Sequence, residues 1–184
     1  MKHYLVFLIL LGVTSLLWGQ EETVVLQDEP IEFEADGFYI KKVVDARNDR
    51  ANIGFVQKGL SKKKRVDAHL KYGVETSVYS YLKENFEQEK GGVPIVIYIT
   101  ELKISETKSL PIAGRAEIEM VFYREREGSI AKLFTSESYV EKPAVNVTAT
   151  HEERIREVIV SCLESFNGSD WKTVDPVYFK EKQN

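Results

Sequence analysis

At 184 residues the chain is the size of one domain with room for a real core, and 43% hydrophobic with 29% charged residues excludes a disordered or collagen-like polymer. A net charge of −4 argues against a general nucleic-acid binder, and a single cysteine, Cys162, excludes an internal disulfide.

Residues 1–19 read as a signal peptide. Lys2 and His3 precede an apolar run from Tyr4 to about Leu17, and small Gly19 stands before the acidic Glu21-Glu22. The run is short for a bilayer span, although an uncleaved membrane anchor is the alternative reading. Cleavage after Gly19 would remove Lys2 and take the net charge from −4 to −5. The expected product is exported, periplasmic or secreted and at most peripheral on the cell envelope, with no transmembrane span after cleavage. A lipoprotein anchor needs a Cys directly after the leader, and Cys162 lies far from there, which disfavours one.

Residues 20–37 form an acidic lead-in with a short apolar run, Val24 to Leu26, that suits an edge strand. Residues 38–184 are expected to make a single α/β domain. Phe38 to Val44 is rich in β-formers and predicts a strand. Asp45 to Lys64 is polar, carries Gly54 and Gly59, and leads into the most basic window of the chain, Lys58 to Arg65. That window predicts a surface loop, followed by a short extended piece from Arg65 to Leu70. Val74, Val78, Tyr81, Leu82 and Phe86 recur at helical steps and predict an amphipathic helix, ended by Gly91-Gly92.

Val93 to Leu102 is nearly continuous in apolar residues, as in a central strand. Ala113 to Tyr123 alternates, with Ala116, Ile118, Met120 and Phe122 on one face and Arg115, Glu117 and Glu119 on the other. Ile130 to Val140 supplies its hairpin partner. Thr150 to Glu153 reads as a capping box opening a second helix, whose stripe is Ile155, Val158, Ile159, Cys162, Leu163 and Phe166, with Gly168 at its end. The tail from Trp171 is expected to dock its apolar part. These elements predict an α+β two-layer sandwich, an antiparallel or mixed sheet of about four strands with two helices on one face.

Candidate chemistry is sparse. His69 and His151 have no His or Cys partner at ligand spacing, so no metal is expected, and His151 is expected on the surface of the first helical turn. Cys162 belongs to an apolar stripe and reads as a core residue. No nucleophile elbow, phosphate-binding loop or dinucleotide fingerprint is present, so no cofactor is expected. Glu117 and Glu119 share a strand face, which two-carboxylate glycoside hydrolysis would need, but a solvated sheet face explains them more simply. The candidate binding residues are Asp45 and Arg47, which can brace the loop that Gly54 turns, and the cationic Lys58, Lys62, Lys63, Lys64 and Arg65, which suit an anionic lipid or glycan.

Val43-Val44-Asp45-Ala46-Arg47, with Ile53-Gly54 after it, resembles the DxR…IG opening of the YajG-type bacterial envelope lipoproteins. The succession of a helix at 74–86, the Leu102-Lys103-Ile104 strand, a hairpin and a terminal helix is similar too, so that the resemblance covers Phe38 to Phe166. The chain departs from that pattern in lacking the lipobox cysteine. The resemblance implies a non-enzymatic envelope protein with a small α/β domain that binds partner proteins or lipids, and it supplies no catalytic residues. The leading expectation is thus an exported, non-catalytic envelope protein that binds a protein partner, through a strand edge. A small periplasmic or secreted binder of a lipid or glycan, held between helices and sheet, is the alternative, and a small hydrolase is the third reading.

Overall fold

The computed structural model describes residues 21–58, 64–86, 91–108 and 111–180. The predicted leader lies outside them. The elements run β1 (Glu22–Val24), β2 (Phe38–Asp45), β3 (Phe55–Lys58), β4 (Lys64–Leu70), α1 (Gly73–Asn85), β5 (Val93–Glu106), β6 (Ala113–Arg126), β7 (Ser129–Pro143), α2 (His151–Asn167) and β8 (Phe179–Lys180). The α+β class holds. The simple sandwich of about four strands does not: the strands form one sheet of five, in the order β2-β5-β6-β7-β8, and one of three, β1-β4-β3.

The larger sheet is curled, and its bulges show why. On β5 the residues facing the helices are Ile95, Ile97 and Ile99, then Leu102 and Ile104, so the alternation slips by one at the bulge around Thr100. The same slip on β2 separates Phe38 and Ile40 from Val43, and on β7 the extra residue is Leu133. Each bulge adds twist to its strand, and three of them in one sheet bend it around its core. β2 lies parallel to β5, whereas β5, β6, β7 and β8 are antiparallel neighbours.

Both helices contribute to one continuous core. Val74, Val78 and Leu82 of α1 and Ile155, Val158, Ile159, Cys162, Leu163 and Phe166 of α2 are buried with Ile97, Met120 and Phe122 of the sheet. An aromatic knot closes one end, where Phe166 stacks on Phe122 at 4.3 Å between centroids and Phe38 meets Phe166 and Trp171 edge-on. Trp171 is buried and anchors the tail, while Val177 and Phe179 stay exposed. β8 covers only Ser129 and Ile130 of β7. Ahead of β8 the tail is held by Trp171 in the core rather than along β7.

The lead-in supplies the edge strand expected of it: β1 lies at one edge of the small sheet, parallel to β4, with Val24 buried and Leu26, Ile31 and Phe33 packed on the core. Two local expectations are corrected. Within the expected polar loop, Phe55–Lys58 is a strand, antiparallel to β4. The capping box does not form: a turn of 3-10 helix precedes α2, and the Thr150 hydroxyl donates back to the Val147 carbonyl at 3.0 Å instead of serving the helix amides.

Candidate functional site

Asp45 closes β2, and the chain then folds back on it. Arg47 donates through Nε and Nη2 to the two Asp45 carboxylate oxygens at 2.8 and 2.9 Å, and through Nη1 to the Asn52 carbonyl at 2.8 Å. Such a two-pronged charged bond is among the strongest a protein makes, and both partners are largely withdrawn from water. Burial alone would raise the Asp45 carboxyl, but the hydrogen bonds and charge of Arg47 outweigh it and hold that carboxyl below the ordinary carboxylate value. Side-chain oxygens of Asp49 and Asn52 accept from the amides two residues on, Ala51 and Gly54, which shapes the loop locally.

That loop joins the two sheets. Ile53 donates to the Ala68 carbonyl of β4 at 2.8 Å, and its own carbonyl accepts from Ile104 of β5 at 2.7 Å. Gly54 sits at φ +117°, and a Cβ there would lie 2.0 Å from the Ile104 carbonyl oxygen. Only glycine fits such an approach at such a dihedral. Asp45, Arg47 and Gly54 therefore build the joint between β2, the small sheet and β5.

The basic window is not one site. Lys58 pairs with Glu22 of β1, Lys64 stands opposite Lys58 at the end of the β3–β4 pair, and the Arg65 guanidinium lies 3.6 Å over the Phe55 ring. Lys62 and Lys63 lie outside the described residues. Of the predicted residues, Arg47 and Arg65 share a cleft of about 490 Å³, whose walls also hold Asn52, Phe55, Lys103 and Glu117. Lys103 is paired with Glu101, so the cleft carries both signs of charge.

A buried polar node escaped the sequence reading. His151 is fully buried, not exposed, and its Nε2 stands 3.5 Å from Glu106 Oε1, with neither side chain reached by solvent. Glu106 also accepts from the Thr148 hydroxyl at 2.8 Å and the Gln57 amide at 3.2 Å. Burial would raise its carboxyl, but the adjacent imidazole and these two donors hold it below the ordinary value. Arg154, beside it, donates to the Val147 and Lys142 carbonyls and the Thr150 hydroxyl, and packs where a Cβ on Gly114 would come within 2.6 Å of it. No substrate can reach this node; it ties α2 to β3, β5 and β7. A signal was present: His151 stands four residues before Ile155 and seven before Val158, in phase with the buried stripe.

The accessible feature is the far edge of β7. Among the described residues no strand pairs with β7 beyond Ile130, so from Lys132 to Glu141 its outward-facing amides and carbonyls have no strand partner. On the sheet face away from the helices, Glu101, Glu119 and Glu137 stand directly opposite one another across β5, β6 and β7. The Thr100 hydroxyl donates to Glu119 at 2.8 Å, Arg115 pairs with Glu141 at 2.7 Å, and Tyr139 is exposed next to the edge. Among the described residues no three His, Cys, Asp or Glu side chains are grouped to hold a metal ion, and no helix is long and apolar enough to cross a membrane. Compared with known proteins, the chain matches no family model, no curated protein and no solved structure.

Proposed function

We propose that this chain is an exported, non-catalytic envelope protein that binds a protein partner by adding a strand of that partner to the β7 edge. One observation carries this reading: β7 runs for 15 residues, and β8 covers two of them. An open edge offers main-chain hydrogen bonds for affinity and alternate side chains for selectivity. Support for export comes from the leader, and support for envelope membership from the resemblance of the Asp45–Gly54 stretch to YajG-type lipoproteins. Against the lipid or glycan binder, the space between helices and sheet is taken up by the continuous side-chain cluster of Met120, Val158, Cys162 and Phe166.

A photo-reactive aromatic in place of Tyr139, activated in the native envelope, tests the proposal. The expected result is a covalent adduct with one defined protein, competed by an excess of unlabelled chain. Recovery of the monomer alone overturns it.

A further inference from the structure

Resting on that reading of the β7 edge, we propose the chemistry of the segment it takes up: an extended peptide with Lys or Arg at alternate positions. The argument starts from a cost. Like charges directly opposite in a sheet destabilise it, since their Cβ atoms lie about 5 Å apart. Here three glutamates stand in one such row, Glu101 on β5, Glu119 on β6 and Glu137 on β7. Two are partly compensated, Glu101 by Lys103 and Glu119 by the Thr100 hydroxyl. Glu137 makes no ion pair with any described residue, and it is the member of the row at the open edge.

A strand added to β7 extends that row by one position. The residue it sets opposite Glu137 falls on the same face, and the residues two before and two after it fall opposite Thr135 and Tyr139. A cation opposite Glu137 completes a row of three carboxylates, and one opposite Tyr139 meets an exposed aromatic ring. A groove of about 340 Å³ between Glu101, Glu117, Glu119, Glu137 and Tyr139 gives long basic side chains room to lie across the face. On the helix side the added strand faces Ser136, Ser138 and Val140, which admits small or apolar residues at the alternating positions. A second copy of this chain brings Glu137 no cation. Antiparallel self-pairing centred on Glu137 or Tyr139 would set it against Glu137 or Glu141 of the copy, and pairing centred on Ser136 or Ser138 would set it against Thr135 or Tyr139. Among the described residues the chain's own tail pairs with Ser129 and Ile130 alone, and its Trp171 is held in the core.

The test uses the chain without its leader and three fluorescent heptapeptides, in which threonine alternates with lysine, glutamine or glutamate. Anisotropy reports binding, and amide hydrogen exchange reports protection between Lys132 and Glu141. The lysine peptide is expected to bind about tenfold tighter than the glutamine peptide at low salt and to slow exchange along the edge. Glu137→Lys should reverse the preference toward the glutamate peptide, and Glu137→Gln should reduce it, without loss of the native thermal transition. If lysine and glutamine peptides bind equally and both protect the edge, the basic segment is overturned while edge addition stands. Lysine-peptide binding without edge protection is only diffuse attraction to an acidic surface and also overturns it. If no peptide protects the edge and Tyr139 captures no protein, both readings fall.

Discussion

The joint at Asp45–Gly54 and the edge of β7 are opposites in construction. At the joint, Arg47 is buried with Nε, Nη1 and Nη2 each donating to an oxygen, and the backbone of Ile53 is shared between two sheets. At the edge, among the described residues, main-chain groups are left without a strand partner and Glu137 without an ion pair. A group already satisfied inside the molecule has little to offer a partner, whereas an unsatisfied one at the surface does. Substitutions at the joint should therefore act on folding, and substitutions at the edge on binding.

The harshest way to break the contrast is Gly54→Ala. The new methyl meets the Ile104 carbonyl at 2.0 Å, at a dihedral that resists any side chain, and the two sheets must part to admit it. A loss of about 4 kcal/mol or more is expected by chemical denaturation. Arg47→Ala comes next, because it strands the Asp45 carboxylate in a partly dry site, at a cost of about 3 kcal/mol near neutral pH. Its pH dependence gives a sign to check. The folded Asp45 carboxyl is held below its ordinary value, so its contribution is present above the unfolded value of about 4 and is lost as pH falls through the folded one. The gap between wild type and Arg47→Ala should accordingly narrow on acidification below about pH 4, and Asp45→Asn should flatten the same limb.

Cys162 offers a probe of the folded interior. Burial pushes its thiol up to about 11, and the side chain sits on the core-facing side of α2 with no exposure. A thiol reagent should leave it unmodified in native buffer and label it at the rate of global unfolding, a rate that Gly54→Ala should raise. The smallest stability effect is expected from Glu137→Lys. Breaking a like-charge row at an exposed position should shift stability by no more than about 0.5 kcal/mol, in the stabilising direction, even as it changes which peptide binds. A large loss of stability from that change would mean the edge is built like the joint.

Much of the fold was legible because its signals were local. The stripes of α1 and α2 and the alternation of Ala116, Ile118, Met120 and Phe122 were read from period alone, and the structure buries those faces. β3 was not legible, since Phe55 and Val56 are a short apolar pair among polar neighbours and owe their strand to pairing with β4. The burial of His151 was hidden by a competing local signal, because Thr150 and Glu153 stand at capping-box spacing while Arg154 takes the Thr150 hydroxyl. Of the candidate site, Asp45 and Arg47 were found as a pair. Their place between two sheets depends on Ile104, some fifty residues on, which no local pattern reveals.

The bulge at Thr100 has a consequence for how this chain can change length. Ahead of it, odd-numbered residues of β5 face the helices; after it, even-numbered ones do. Removing that one residue would set Ile99 next to Glu101, as their partners Met120 and Glu119 already are, so the ladder would run without a slip and Leu102 and Ile104 would still face the helices. What would be lost is the extra twist of the bulge and the Thr100 hydrogen bond to Glu119. Thr100 is thus a residue that curls the sheet without deciding which side chains it buries, whereas a deletion anywhere else in β5 would turn one half of the strand inside out.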